Sequence, residues 1–329
     1  MPNSKDCNPK RILLVCTKHT GSNLFCSPAI RLVRDQLADC RIEVVALSNL
    51  SSEVFIGNSD IDVLHVATSR RQVRKLTRHI DVALCLNPKS ADLLIGTECP
   101  VQFVPAFLGG RHQADAILEF VAATLGLTAD QSHRHYVMAK DDLPTPLTAT
   151  YGKLIGLHLG CGRTAIQGWK FWRSSRGEHR KLWPLDRYIR LGKLLKEHYP
   201  GFHIAITGTR NEAFLGKQFV EAQPDTINLI GQTTAQSLFA AIERMDAFVT
   251  HDCGVLHIAS ATNTPIISIF SSTSPEETGP YPSQPNRVIL QSDNICEIEP
   301  EHVIRHLDKL FHHRRENGLL PDQLPAAHK

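Results

Sequence analysis

The sequence has no C-x-x-C pair, no long apolar run and almost no net charge, and each absence removes a class of protein. Its nine cysteines (Cys7, Cys16, Cys26, Cys40, Cys85, Cys99, Cys161, Cys253 and Cys296) are scattered and odd in number. That argues against a zinc site and fits unpaired thiols in a reducing cytosol. The first apolar stretch, Ile12 to Cys16, is too short for a signal h-region or a bilayer span, and nothing after it reaches spanning length. Thirty-six Lys and Arg against 33 Asp and Glu leave a formal charge of only +3, too weak a field for a general nucleic-acid binder. The loop Lys18 to Asn23, after the first apolar run, has neither the G-x-G-x-x-G spacing nor the G-x-x-x-x-G-K pattern, so a dinucleotide or P-loop site is not expected there. No D-x-D pair follows a strand candidate, and no carboxylate cluster suits Mg²⁺, so no metal and no cofactor is expected.

What is present is an ordinary globular composition, 42% hydrophobic and 21% charged over 329 residues, long enough for two domains. Strand-length apolar runs alternate with amphipathic helix-length stretches, the pattern of βαβ units with parallel sheets. In the first half, strands are expected at Ile12–Cys16, Ile42–Leu47, Val63–Val66, Val82–Leu86 and Val101–Val104, with helices near Leu24–Ala38, Arg70–His79, Ser90–Gly96 and Ala114–Leu125. From Thr128 to Tyr151 the periodicity fades into a polar, Pro-containing connection. Alternation then restarts, with strands at Leu154–Leu159, His203–Thr207, Ile227–Ile230, Ala247–Thr250, Ile266–Phe270 and Val288–Leu290. Helices are expected between them at Leu185–His198, Asn211–Glu221, Ala235–Met245 and Val255–Ala261. Pro184 suits a first helical position, and Thr233 with Gln236 reads as a capping box. The expected domains are residues 1–145, residues 150–305, and a C-terminal helix and tail over 306–329.

Ligands of open α/β sheets sit beyond the carboxyl ends of the strands, so the loops there are the candidates for chemistry. Thr250 to His257 lies between a strand and a short helix; Gly254 would permit a tight turn, and free N–H groups at the helix start could hold an anion. The alternative is that Asp252 only caps a helix and His257 packs on the sheet. Between His158 and Arg187, seven cations (Arg163, Lys170, Arg173, Arg176, Arg180, Lys181, Arg187) face only Glu178 and Asp186, with Trp169, Phe171 and Trp172 interleaved. Such a segment suits phosphate or a stacked ring, or else is a solvated flap. Glu212, after Gly208, could accept from ribose hydroxyls or simply sit in a first helical turn, and Gly231 to Thr234 could pass a nucleobase or only cap a helix.

Taken in order, Lys181-Leu182-Trp183-Pro184, Gly208 through Glu212, Gly231-Gln232-Thr233-Thr234 and Asp252 through His257 resemble the blocks of the ADP-heptose:lipopolysaccharide heptosyltransferases, glycosyltransferase family 9. The pattern continues through Ala261-Thr262-Asn263-Thr264-Pro265 and Thr273-Ser274-Pro275 to Thr278-Gly279-Pro280-Tyr281. The resemblance implies an α/β protein of GT-B fold, two Rossmann-like doubly wound domains facing a central cleft. It further implies inverting, metal-independent transfer of a heptose or related sugar from a nucleoside-diphosphate sugar such as ADP-heptose to a lipopolysaccharide core or similar glycan. The diphosphate would be held by Thr164, Lys181, Asp252, Cys253, Gly254 and His257, and the nucleoside by Glu212, Thr233 and Thr234. Lys181 would also serve catalysis, by stabilising charge on the departing diphosphate.

In the first half, Thr20 to Leu24 through Pro28-Ala29 resembles the family's glycine-containing loop, but Ser22 stands where the family commonly has the aspartate proposed as base. His19 is the one side chain of Lys18 to Asn23 that ordinarily titrates near neutrality, so it is the candidate base, with Ser22 positioning the acceptor. A carboxylate elsewhere in this half is the alternative. The insert Gly168 to His179 is absent from compact members of the family. The partners implied are a nucleotide-sugar donor and a glycolipid or oligosaccharide acceptor, no nucleic acid, and a peripheral membrane contact at the inner face of the inner membrane. The chain is expected to be a cytoplasmic monomer. Two other readings stay open: a sugar-nucleotide epimerase, and a degenerate GT-B protein that binds nucleotide sugar or a partner without turnover.

Overall fold

The structure, a computed structural model, describes residues 9–107, 109–142, 144, 147, 152–161 and 181–316. The chain divides into two units, residues 1–140 and 141–329.

Unit 1 carries β1 (Arg11–Val15), α1 (Thr20–Leu24), α2 (Ser27–Gln36), β2 (Arg41–Ala46), α3 (Asn49–Ser52), β3 (Val63–Val66), α4 (Arg70–Leu76), β4 (Val82–Cys85), β5 (Val101–Phe103) and α5 (Gln113–Leu125). Its five strands are all parallel in the order β3-β2-β1-β4-β5. Leu13, Val15, Val45 and Cys85 project from the strands into a core shared with Val73 of α4, as a parallel sheet covered by helices requires.

Unit 2 carries β6 (Lys153–His158), α6 (Leu185–His198), β7 (Phe202–Thr207), α7 (Ala213–Ala222), β8 (Ile227–Asn228), α8 (Ala235–Glu243), β9 (Ala247–His251), α9 (Gly254–Ser260), β10 (Ile266–Phe270), α10 (Pro275–Thr278), β11 (Arg287–Gln291) and α11 (Pro300–Glu316). The sheet is parallel in the order β11-β10-β9-β6-β7-β8. The first strand of each unit therefore sits mid-sheet, and the order reverses beside it. The switch points lie between β1 and β4 in unit 1 and between β6 and β9 in unit 2.

Each expected strand is found, shifted by no more than two residues at either end. The helices differ more. The expected helix Leu24–Ala38 starts at Thr20 and is broken into α1 and α2, with Pro28 in the first turn of α2, where its missing N–H costs no hydrogen bond. The expected helix starts at Ser90 and Asn211 are 3-10 turns, Pro88–Leu94 and Arg210–Glu212. Pro184 is the N-cap of α6 rather than its first helical residue. The capping box of α8 is one residue later than expected: Thr234 caps and Ser237 answers, each hydroxyl meeting the other's backbone N–H at 3.1 and 2.9 Å. Gly231, at φ 72°, and the turn through Gln232 take up the extra residue before the helix can begin.

Candidate active site

The switch point of unit 2 brings together the ends of β6 and β9, which carry His158 and His251 as their last residues. Beyond β9, Asp252 is buried, and its Oδ2 accepts from the Lys181 ammonium and, at 2.6 Å, from the Thr273 hydroxyl. Three loops separated by some ninety residues of sequence thus converge on one carboxylate. Lys181 reaches it because the residues after it are fixed. Leu182 and Trp183 are buried, Trp183 donates its indole N–H to the Ile298 carbonyl at 2.8 Å, and its ring meets Tyr188 edge-on at 4.7 Å. The Lys181 side chain is 33% exposed and ion-paired.

Below this pair lies a polar layer that the sequence reading did not assign. Tyr188 of α6 and His251 Nδ1 share a hydrogen bond of 3.0 Å, the His251 and His158 rings stack at 5.9 Å, and His158 Nδ1 meets the Thr207 hydroxyl at 3.0 Å. All four side chains are buried. Burial holds His158 below the ordinary histidine range, although the charge of Glu212 pulls the other way, and burial pushes the Tyr188 phenol up. The available signal was a polar residue closing each apolar run: His158, Thr207 and His251 each end a strand.

Cys253 is the N-cap of α9 and Gly254 its first residue. Gly254 is thus helical and makes no left-handed turn. The Cys253 thiol lies 3.5 Å from the Thr250 hydroxyl and is pushed up to about 11 by burial, so it is a neutral group at physiological pH. His257 is buried on α9, in the same helix.

Glu212 is buried beyond β7, where Oε2 accepts from the Thr209 N–H at 2.6 Å and from the Thr209 hydroxyl at 2.9 Å, forming a capping box. Its Oε1 packs so closely on Gly160 that a Cβ there would lie 2.0 Å away. The glycine after β6 therefore makes room for the carboxylate. Thr233 is half-buried and Thr234 is exposed at the start of α8. Thr164, the insert Gly168 to His179, and Trp169, Phe171 and Trp172 lie outside the described residues.

In unit 1, His19 is exposed as the N-cap of α1, with its N–H donating to the Thr17 hydroxyl at 2.9 Å. Ser22 is half-buried on the same helix. Buried Asn23 fixes the turn, accepting from the Thr17 N–H and donating to the Ser51 carbonyl, both at 2.8 Å. Asp60-Ile61-Asp62, a D-x-D, precedes β3 at the opposite end of the strands from these loops, where Arg31 and Arg34 pair with its carboxylates.

Residues 168–306 match the model of glycosyltransferase family 9 (heptosyltransferase). Lipooligosaccharide heptosyltransferase 2 of Haemophilus influenzae is 32% identical over 123 residues, 36% of this chain and 35% of that protein. The chain thus spans about a third of the length of that relative and less than half of Escherichia coli lipopolysaccharide heptosyltransferase 2, where the match covers 43% at 31% identity. Among solved structures, the glycosyl transferase family 9 protein of Veillonella parvula superposes with a TM-score of 0.76 at 19% identity, covering 92% of this chain and 97% of that one. The two units have the GT-B fold class, each Rossmann-like and doubly wound. The ordered sequence blocks from Lys181 to Tyr281 all lie within the segment 168–306 that is similar to glycosyltransferase family 9.

Proposed function

We propose that the protein is an inverting, metal-independent glycosyltransferase that moves a heptose from a nucleoside-diphosphate sugar, ADP-heptose foremost, to a lipopolysaccharide core or similar glycan. The observation that carries this reading is the Lys181–Asp252 pair beside the switch point of unit 2. Departure of a nucleoside diphosphate builds negative charge on its oxygens. A lysine held in place by a buried carboxylate, next to the positive end of α9, stabilises that charge without a metal. Asp252 then acts by orienting Lys181, since its own charge repels a phosphate. Cys253, Gly254 and His257, at the cap and on the first turn of α9, serve the diphosphate together with Thr164, and Glu212, Thr233 and Thr234 serve the nucleoside.

In unit 1, His19 takes the acceptor proton, with Ser22 beside it in the first turn of α1. The protein works as a monomer in the cytoplasm, at the inner face of the inner membrane. A second reading rests on Ser22 itself: with serine in the place of the family's usual aspartate, the chain would bind nucleotide sugar without turning it over.

Incubation with labelled ADP-heptose, with and without core oligosaccharide and with excess chelator, tests the proposal. Transfer that survives the chelator and is lost in His19→Ala supports it. Binding without transfer, together with activity appearing in Ser22→Asp, supports the second reading. Transfer restored only by Mg²⁺ or Mn²⁺ overturns metal independence.

A further inference from the structure

The two segments that carry Lys181 and Asp252 are tied together twice. The ion pair is one tie. The other is the 3.0 Å hydrogen bond between the Tyr188 hydroxyl, near the start of α6, and Nδ1 of His251, the residue immediately before Asp252. Each end of this second tie is backed. Behind Tyr188 stands Trp183, two residues after Lys181, which meets the phenol ring edge-on and is itself anchored to the Ile298 carbonyl. Behind His251 lies the ring of His158, held in turn by the Thr207 hydroxyl at the end of β7. A shift of Tyr188 therefore reaches Lys181 through Trp183, and a shift of His251 reaches Asp252 through one peptide bond.

The surrounding core of unit 2 is apolar, with Leu157, Val249 and Ile269 packed in the same cluster as Trp183 and Tyr188. Aliphatic side chains of similar volume would fill the place of this layer without desolvating a phenol and two imidazoles. What a hydrogen bond adds over apolar packing is a set distance and direction. That matters beside Lys181, whose ammonium sits on a flexible four-carbon stem and is aimed only by its backbone position and by its partner. Burial pushes the Tyr188 phenol up, so the tie is neutral and adds no negative charge to compete with a phosphate.

We propose that Tyr188 and His251 are positioning residues for Lys181, setting the spacing of the two segments so that the ammonium can turn from Asp252 to a bound diphosphate without leaving the site. The inference rests on the reading of Lys181 as the group that meets the donor diphosphate. Its signature is an effect on the ligand that passes through Lys181 and vanishes when the lysine is removed.

The test is the affinity of the full chain for ADP by titration calorimetry, beside urea unfolding of the same samples. Tyr188→Phe should weaken ADP binding about five-fold, less than Lys181→Ala does, because the lysine is misaimed rather than removed. In the Lys181→Ala background the same change should leave ADP affinity within about two-fold while still lowering the urea midpoint. His251→Phe keeps a ring against His158 and removes Nδ1, so it should match Tyr188→Phe, and the two together should lose no more than about two-fold beyond either alone. Tyr199→Phe is the matched control: it removes a hydroxyl from the far end of α6, where it donates to Asp308 of α11, and should leave ADP affinity within about two-fold of wild type. Wild-type affinity in both Tyr188→Phe and His251→Phe, a loss that persists without Lys181, or an equal loss in Tyr199→Phe would overturn the proposal and leave the reading of Lys181 standing. No ADP binding by the wild type, or affinity unchanged in Lys181→Ala, would overturn that reading and the proposal with it.

Discussion

Replacing Lys181 by alanine separates what the lysine does for the ligand from what it does for the fold. The Asp252 side chain is only 8% exposed, and without Lys181 it keeps the Thr273 hydroxyl as its remaining side-chain donor at 2.6 Å. Breaking a fully buried pair costs about 3 to 5 kcal/mol, and losing a hydrogen bond to a charged group about 1.5 to 3. With Lys181 one-third exposed, water can enter the vacated space, and the lower range applies. Lys181→Ala should therefore unfold in urea with about 2 kcal/mol less stability than wild type. Lys181→Ala combined with Asp252→Asn removes the uncompensated charge and should recover at least about 1 kcal/mol of that loss. Turnover should not recover: both variants should lose about 2 to 4 kcal/mol of transition-state stabilisation, roughly 30- to 1,000-fold in kcat/KM. A single variant as stable as wild type, or a double variant no more stable than the single, would refute the buried-pair argument. A double variant that regains turnover would refute the role of Lys181 in charge stabilisation.

Tyr188→Phe removes the donor or acceptor that meets His251 Nδ1 in a fully buried setting, and should cost about 1 to 3 kcal/mol in thermal or urea unfolding; a loss under about 0.5 would show that the contact carries nothing. Gly156→Ala places a Cβ 2.2 Å from Met245 Sδ and 2.6 Å from a ring carbon of Phe248, so about 1 to 3 kcal/mol of stability should be lost to overpacking, and an unchanged midpoint would show that the core yields there. His158 is held below the ordinary 6.5 by burial, so the unfolded chain binds its proton more readily. Its contribution is complete above pH about 6.5 and is lost as the pH falls through the lower folded value. Urea unfolding should accordingly show a stability that drops as the pH falls below about 6.5 and drops less in His158→Asn, with equal slopes refuting a neutral buried imidazole.

The sequence alone determined the two parallel sheets. A strand buried on both faces must be apolar throughout, so each run such as Leu13-Leu14-Val15 or Ile266 to Phe270 announces itself without reference to any partner. It also singled out candidate loops, because the ordered blocks from Lys181 to His257 sit at strand ends and helix starts. Helix starts were less legible, since α8 could be capped by Thr233 or Thr234 and only the backbone path through Gly231 chose between them. What only the tertiary structure decided is which of these side chains meet. Strand order β9-β6-β7 brings His251, His158 and Thr207 into one buried layer, although they are scattered over almost a hundred residues of sequence. The partner of Lys181 likewise lies 71 residues away, and Asp252 in isolation reads equally well as a cap or a ligand. Local pattern reports burial, because burial acts on each residue separately. Pairing of charges and hydrogen-bonding groups depends on distances in space, which the order of strands in the sheet sets and the order of residues in the chain does not.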